Sequence, residues 1–236
     1  MYEVRDIVFS YRSRQVLRGV SFVVSPGEIV SVAGENGAGK TTLLKILATL
    51  AMPDSGNIFI EGSDALAHPV KYRRNIGYMP EIPALYEDMT VKDYLHYRFA
   101  LKGESGKRLR RRIGEAVEMC RITDYLRCGI STLSLGLKRR VALADAILLR
   151  PKVLLLDDFL SGLDRATREA AGSMLTAVAS FSCVIATGHE IEDLARWSTR
   201  FLVLDGGVVS ATIPAAGVAK DEIVKRVDAA MKGASQ

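Results

Sequence analysis

Three cysteines in 236 residues, Cys120, Cys128 and Cys183, are too few and too widely spaced for a paired metal site or a disulfide framework. They read as small buried or half-buried side chains in a reducing compartment. A long apolar run is also lacking. The most apolar stretch, Leu43 to Met52, is broken by Lys45 and falls well short of the roughly 20 residues a bilayer requires. Glu3, Arg5 and Asp6 stand where a secretory signal would be apolar. The chain is therefore expected to be cytosolic and to reach a membrane only through a partner. It has no internal repeat, no disordered tract and no linker long enough for an independent second domain. With 48% hydrophobic residues it can build a substantial core, as one large α/β domain or a domain with an inserted lobe.

The formal net charge is +5, gathered partly in Lys107-Arg108-Leu109-Arg110-Arg111-Arg112. Such a run can touch anionic lipid or nucleic acid. Here Leu109, Ile113 and Val117 recur every four residues, which predicts an amphipathic helix with a solvated basic face. No nucleic-acid partner is expected on this basis.

Residues 34–42 read Gly34-Glu35-Asn36-Gly37-Ala38-Gly39-Lys40-Thr41-Thr42. The apolar run Ile29 to Ala33 before them reads as a buried strand, and Thr42 to Ala48 after them as a helix. Strand, glycine-rich loop and helix are the context that makes this pattern a phosphate-binding loop. The glycines let backbone N–H groups converge on an anion at a helix N-terminus. Lys40 is expected to reach the β- and γ-phosphates, and the Thr41 hydroxyl to enter a Mg²⁺ shell. A nucleoside triphosphate is the expected ligand.

Short strands are expected at Val4 to Phe9, Val20 to Val24 and Ile29 to Val32, with turns at Arg18-Gly19 and Pro26-Gly27. After the turn Pro53-Asp54-Ser55-Gly56, strands follow near Ile58 to Ile60 and Ile76 to Tyr78. Helical periodicity dominates residues 90–149. Strands return at 153–156, 184–186 and 201–204, separated by helices near 165–179 and 190–197, and a terminal helix spans Ala219 to Met231. This alternation predicts a mostly parallel core sheet, with the N-terminal hairpins in a separate antiparallel layer.

The strand at 153–156 ends in Asp157-Asp158, where a carboxylate beside the phosphate loop would hold Mg²⁺, directly or through water. Asp157 takes that role, and Asp158 stands beside the expected attacking water. At this point the chain resembles the nucleotide-binding subunits of ATP-binding-cassette (ABC) transporters. Leu133-Ser134-Leu135-Gly136-Leu137 stands where that family has its signature motif, and Ser161-Gly162-Leu163-Asp164 matches its dimer-contact loop. His189 matches its switch histidine and Tyr11 the aromatic that stacks on adenine.

The resemblance implies a RecA-like P-loop core with an N-terminal antiparallel β subdomain. It places these in residues 1–80 and 150–236, with an inserted helical subdomain over about 81–149. It further implies a head-to-tail dimer with a second such subunit, homo- or heterodimeric, holding two ATP molecules. Each ATP would lie between the phosphate loop of one chain and Ser134 and Gly136 of the other, with Asp164 at the contact. Transmembrane permease subunits would hold the pair at the cytoplasmic face of the inner membrane.

Three motifs depart from the family pattern. Asp158 stands where glutamate is usual, and Phe159-Leu160 follow in place of Pro-Thr. The signature carries Leu135 and Leu137 for glycine and glutamine. Glu81 replaces the glutamine that senses Mg²⁺ and γ-phosphate. The run Ile76 to Glu81, with Leu85-Tyr86 and Met89-Thr90-Val91, is similar to subunits of bacterial exporters that pair with separate six-helix permeases. A slow ATPase driving export is the expected activity; the alternative is an ATP-binding gating or regulatory subunit with weak or no hydrolysis, paired with a catalytically active partner.

Overall fold

A computed structural model describes residues 1–103 and 106–233. In chain order it has β1 (Tyr2–Tyr11), β2 (Arg14–Val24), β3 (Ile29–Ala33), α1 (Lys40–Leu47), β4 (Ser55–Ile60), β5 (Ser63–Asp64), α2 (Pro69–Arg73) and β6 (Ile76–Met79). There follow α3 (Val91–Leu101), α4 (Gly106–Met119), α5 (Leu135–Ile147), β7 (Val153–Leu156), α6 (Arg165–Ala179) and β8 (Cys183–Thr187). The chain closes with α7 (Ile191–Leu194), β9 (Arg200–Asp205), β10 (Val208–Pro214) and α8 (Lys220–Gly233).

Two sheets result. The first is antiparallel, in the order β2-β1-β4-β5. The second has the order β10-β9-β3-β8-β7-β6; β9 through β6 are parallel neighbours and β10 joins its edge antiparallel. Every residue of β3, β7 and β8 is buried, as parallel strands covered on both faces must be. Side chains on opposite faces enter different cores: Val30, Val32 and Leu155 pack with α1 and the antiparallel sheet, while Ile29, Ala33 and Leu156 pack toward α3, α5 and α6.

Two expectations about local structure fail. No turn separates strands at Arg18-Gly19. β2 runs through it, with Gly19 at φ +96° and the β1 pairing register shifting between Val8↔Arg18 and Ile7↔Val20. The glycine there bends a continuous strand, as in a bulge. The helix near 190–197 shrinks to the single turn Ile191–Leu194. The edge strand β10 alternates exposed residues with half-buried ones and the buried Ile213, so no apolar run marks it in the sequence.

The helices at 91–147 form a third layer. α4 buries Ile113 and Val117, and Glu115 on it gathers three cations: the exposed Arg111, the mostly covered Arg112, and Arg150 from beyond α5. Asp145, nearly buried on α5, accepts from Tyr94 Oη at 3.2 Å, Arg98 Nε at 2.9 Å and Lys102 Nζ at 2.9 Å. That network ties α3 to α5 as one unit.

Candidate nucleotide-binding site

Parallel strands deliver their C-terminal ends to one edge of the sheet, and the loops leaving β3, β6, β7 and β8 meet there. The loop after β3 needs glycine for two distinct reasons. A Cβ on Gly34 would lie 2.3 Å from the Leu204 carbonyl oxygen, and Gly39, at φ +105°, would place one 2.9 Å from Leu17 Cδ2. Gly39 is the N-cap of α1, and Leu43 N–H donates to its carbonyl at 2.8 Å. Lys40 is folded back onto the loop, its Nζ donating to the carbonyls of Gly34 at 2.7 Å and Glu35 at 3.0 Å. Burial lowers the Lys40 pKa, opposed by the nearby Asp158 and Asp157 carboxylates.

Asp157 is 2% exposed at the end of β7, with its N–H bonded to Met79 O at 2.9 Å. Its Oδ1 accepts from Thr41 Oγ1 at 3.1 Å and from Thr187 Oγ1 at 2.9 Å. The Asp158 backbone is pinned at both ends in a left-handed conformation, φ +43°. Its N–H donates to Thr187 Oγ1 at 2.9 Å, and its carbonyl accepts from Arg139 Nη1 at 2.9 Å and Ser161 N–H at 3.2 Å. Asp158 Oδ1 is buried without a hydrogen-bond partner and lies near Gly188, 3.6 Å from where a Cβ on that glycine would stand. Burial raises the Asp158 pKa; His189 and Arg139 oppose the rise, while Glu190 and Glu81 add to it.

These groups line one open cleft of about 1070 Å³. It brings together Tyr11, Glu35 to Thr42, Glu81, Asp157, Asp158 and His189. Gly34 lies behind the loop and contributes its carbonyl to Lys40. Tyr11 stands at the rim, half exposed, its ring edge-on to Phe9 with centroids 4.8 Å apart.

Ser134, Gly136 and Asp164 are not in this cleft. They line a second one of about 460 Å³ with Leu135, Gly162 and Thr167. Ser134 caps α5 by accepting from Leu137 N–H at 3.3 Å, and Asp164 caps α6 by accepting from Thr167 N–H at 2.9 Å. Leu135, half exposed, leans over Gly162: its Cδ2 would be 3.1 Å from a Cβ there. Sequence reasoning missed Thr187 and Arg139. Thr187 carries a signal only in hindsight, as the polar end of an otherwise apolar strand. Arg139 sits in a basic triplet where nothing distinguishes the buried member from its neighbours.

A strand-loop-helix phosphate cradle facing a strand-end carboxylate defines a P-loop nucleotide-binding cassette. A sequence model of the family described as ABC transporter matches residues 17–161, and the chain belongs to that family. It is 34% identical over 210 residues to the uncharacterized ABC transporter ATP-binding protein YxlF of Bacillus subtilis, covering 89% of this chain and 70% of that one. The sulfate/thiosulfate import ATP-binding protein CysA of Pseudomonas putida is 34% identical (88% of this chain, 64% of that one). The Nod factor export ATP-binding protein I of Rhizobium etli is 30% identical (86% and 64%). The chain thus spans just under two thirds of the length of the latter two. Among solved structures, the ATP-binding subunit of an ABC transporter superposes with TM-score 0.84 at 29% identity, covering 97% of this chain and 99% of that one. A bacterial ABC transporter cassette in dimeric form superposes with TM-score 0.82 at 25% identity (92% and 100%).

Proposed function

We propose that this chain binds and hydrolyses ATP as the energising subunit of a membrane exporter, pairing with a second cassette and with permease subunits at the cytoplasmic membrane face. The observation that carries the reading is the convergence of the Thr41 and Thr187 hydroxyls on Asp157 Oδ1 beside the Lys40 loop. The donor set suits Mg²⁺: a hydroxyl and a carboxylate are hard oxygen ligands, too few for an all-protein cage, which leaves positions for phosphate and water. Among the described residues no cluster of three or more His, Cys, Asp or Glu competes as a metal site. Thr41 and Asp157 would hold the ion, which supplies charge neutralisation at the β- and γ-phosphates when bound with ATP.

The chain's own residues do the rest. The Gly34–Thr42 loop and Lys40 bind and orient the phosphates, and Tyr11 offers its face to the base. Thr187 fixes which Asp157 oxygen faces Thr41. Asp158 accepts the proton of the attacking water, with His189 and Glu81 beside it in the cleft to orient that water and the terminal phosphate. Ser134 and Gly136, displaced to a second cleft, would serve the nucleotide held by the partner subunit. No helix among the described residues is long and apolar enough to cross a membrane, so the permease would supply the span.

Phosphate release from purified chain with Mg·ATP tests the reading. Lys40→Ala and His189→Ala should abolish turnover; wild-type turnover in both variants overturns it. The export direction rests on the run Ile76 to Glu81 and the relaxed signature, and on 30% identity to a Nod factor export subunit, against 34% identity to a sulfate/thiosulfate import subunit. Capture of the chain with a six-helix permease from detergent-solubilised membranes supports export. Capture with a permease that needs an extracytoplasmic binding protein overturns it.

A second reading, a gating subunit with little turnover beside an active partner, is favoured by Asp158. Its shorter side chain turns one oxygen toward Gly188 rather than presenting both to the cleft.

A further inference from the structure

The two clefts are separate, but one helix links them. Ser134 caps α5 at the second cleft, and Arg139, five residues on and about 7.5 Å along the axis, bonds two residues that line the nucleotide cleft. Arg139 is 7% exposed. Its Nη1 donates to the Asp158 carbonyl at 2.9 Å and its Nη2 to the Glu81 carbonyl at 3.2 Å, while its Nε has no partner. A planar guanidinium is suited to this: it bridges two carbonyls from different loops in a fixed fork, where a lysine ammonium would act as a point. The two carbonyls belong to the residues that follow β6 and β7, on either side of the place where water and terminal phosphate would meet. Near its far end α5 is tied by Asp145 to Tyr94 and Arg98 of α3 and to Lys102 just beyond it, so a displacement at Ser134 carries α5 and α3 together.

We infer that Arg139 is a positioning residue that transmits occupancy of the Ser134–Gly136 cleft to Asp158 and Glu81 in the nucleotide cleft of the same chain. The inference rests on the ATPase reading above and deepens it. Asp158 shows why a transmitter is needed. A left-handed non-glycine backbone persists only where its surroundings over-determine it. Here the Thr187 hydroxyl holds one side of the residue and Arg139 the other. A shift of α5 therefore re-aims the Asp158 carboxylate directly, and the Glu81 backbone with it.

The test compares Arg139→Met, which keeps the volume and removes both donors, with Arg139→Lys, which keeps one cation. Three quantities are read on the purified chain: kcat, the ATP Kd by calorimetry in EDTA, and hydrogen exchange of the 158–163 segment with and without a non-hydrolysable ATP analogue. Arg139→Met should lose about tenfold or more in kcat with Kd held within about twofold, since the residue touches neither base nor phosphate. Its 158–163 amides should no longer gain protection when the analogue closes the dimer. Arg139→Lys should be intermediate in both readouts with a wild-type Tm. Wild-type kcat and wild-type protection in Arg139→Met overturn the inference. So does a parallel fall of Tm, Kd and kcat in both variants, which marks a residue that merely holds the fold. If Arg139→Met does not fold, wild-type kcat and protection in Arg139→Lys overturn the two-carbonyl bridge. The exchange arm reads Arg139 even in a chain without turnover, so failure of wild-type hydrolysis defeats the ATPase reading and leaves this one decided separately.

Discussion

Thr41, at the first turn of α1, and Thr187, at the last residue of β8, donate to the same oxygen, Oδ1 of Asp157. Their separation in sequence hides the pairing, and the parallel sheet creates it by bringing strand ends to one edge. Thr187 also accepts the Asp158 N–H, so one hydroxyl orients both acidic residues. Thr187→Val removes a donor from a buried carboxylate and an acceptor from a buried amide. We expect a loss of about 1–3 kcal/mol in stability and a fall in kcat of about tenfold to a hundredfold. Chemical denaturation and steady-state phosphate release measure the two. An isosteric change with neither effect would mean the hydroxyl is incidental.

Asp158→Glu restores about 1.5 Å of reach. A misplacement near 1 Å costs on the order of a hundredfold in rate, roughly 2.7 kcal/mol of barrier. The longer side chain should therefore raise turnover by one to two orders of magnitude. Equal rates in the two proteins would mean that the left-handed backbone at Asp158 already presents the shorter side chain adequately.

Burial raises the Asp158 pKa above its unfolded value, so folding favours the protonated acid. Any stability from this group is present below the unfolded pKa and is lost as pH rises through the folded one. Asp158→Asn removes that loss. At pH 7 the variant should melt higher than wild type while hydrolysing no ATP, and the gap in Tm should close as pH falls toward 4. A gap independent of pH would assign the stabilisation to packing instead.

Gly172, inside α6, lies under the ring of Trp197. A Cβ there would be 1.8 Å from Trp197 Cε2. Gly172→Ala gains helix propensity of about 1 kcal/mol but forces the indole out of its seat, an overpacking cost of about 1–3 kcal/mol or more. Net destabilisation with an altered emission spectrum of this single tryptophan is the expected result. Unfolding monitored by fluorescence decides it.

Legibility in the sequence followed the range of the interaction. The phosphate loop, the buried strands β3, β7 and β8, and the Asp157-Asp158 pair were readable because each is contiguous and compositionally distinct. The amphipathic α4 was readable from its four-residue period. Gly19 misled because a glycine serves a bent strand as well as a turn, and only the partner strand decides between them. Arg139 and Thr187 were invisible because their roles are defined by backbone atoms 19 and 29 positions from each toward the common residue Asp158. Ser134 and Asp164 are expected as site residues from the resemblance alone; the structure shows each as a helix cap, a task that no motif announces.

Lys40 has two carbonyl acceptors within its own loop. An arriving phosphate does not meet a bare ammonium; it exchanges one set of oxygen partners for another, and the gain is the difference between them. The same exchange runs in reverse when a product leaves, because the loop re-closes on its lysine without stranding a buried cation. A cradle that can satisfy itself binds its guest less tightly than its charge suggests, and a machine that works in cycles depends on that ease of letting go.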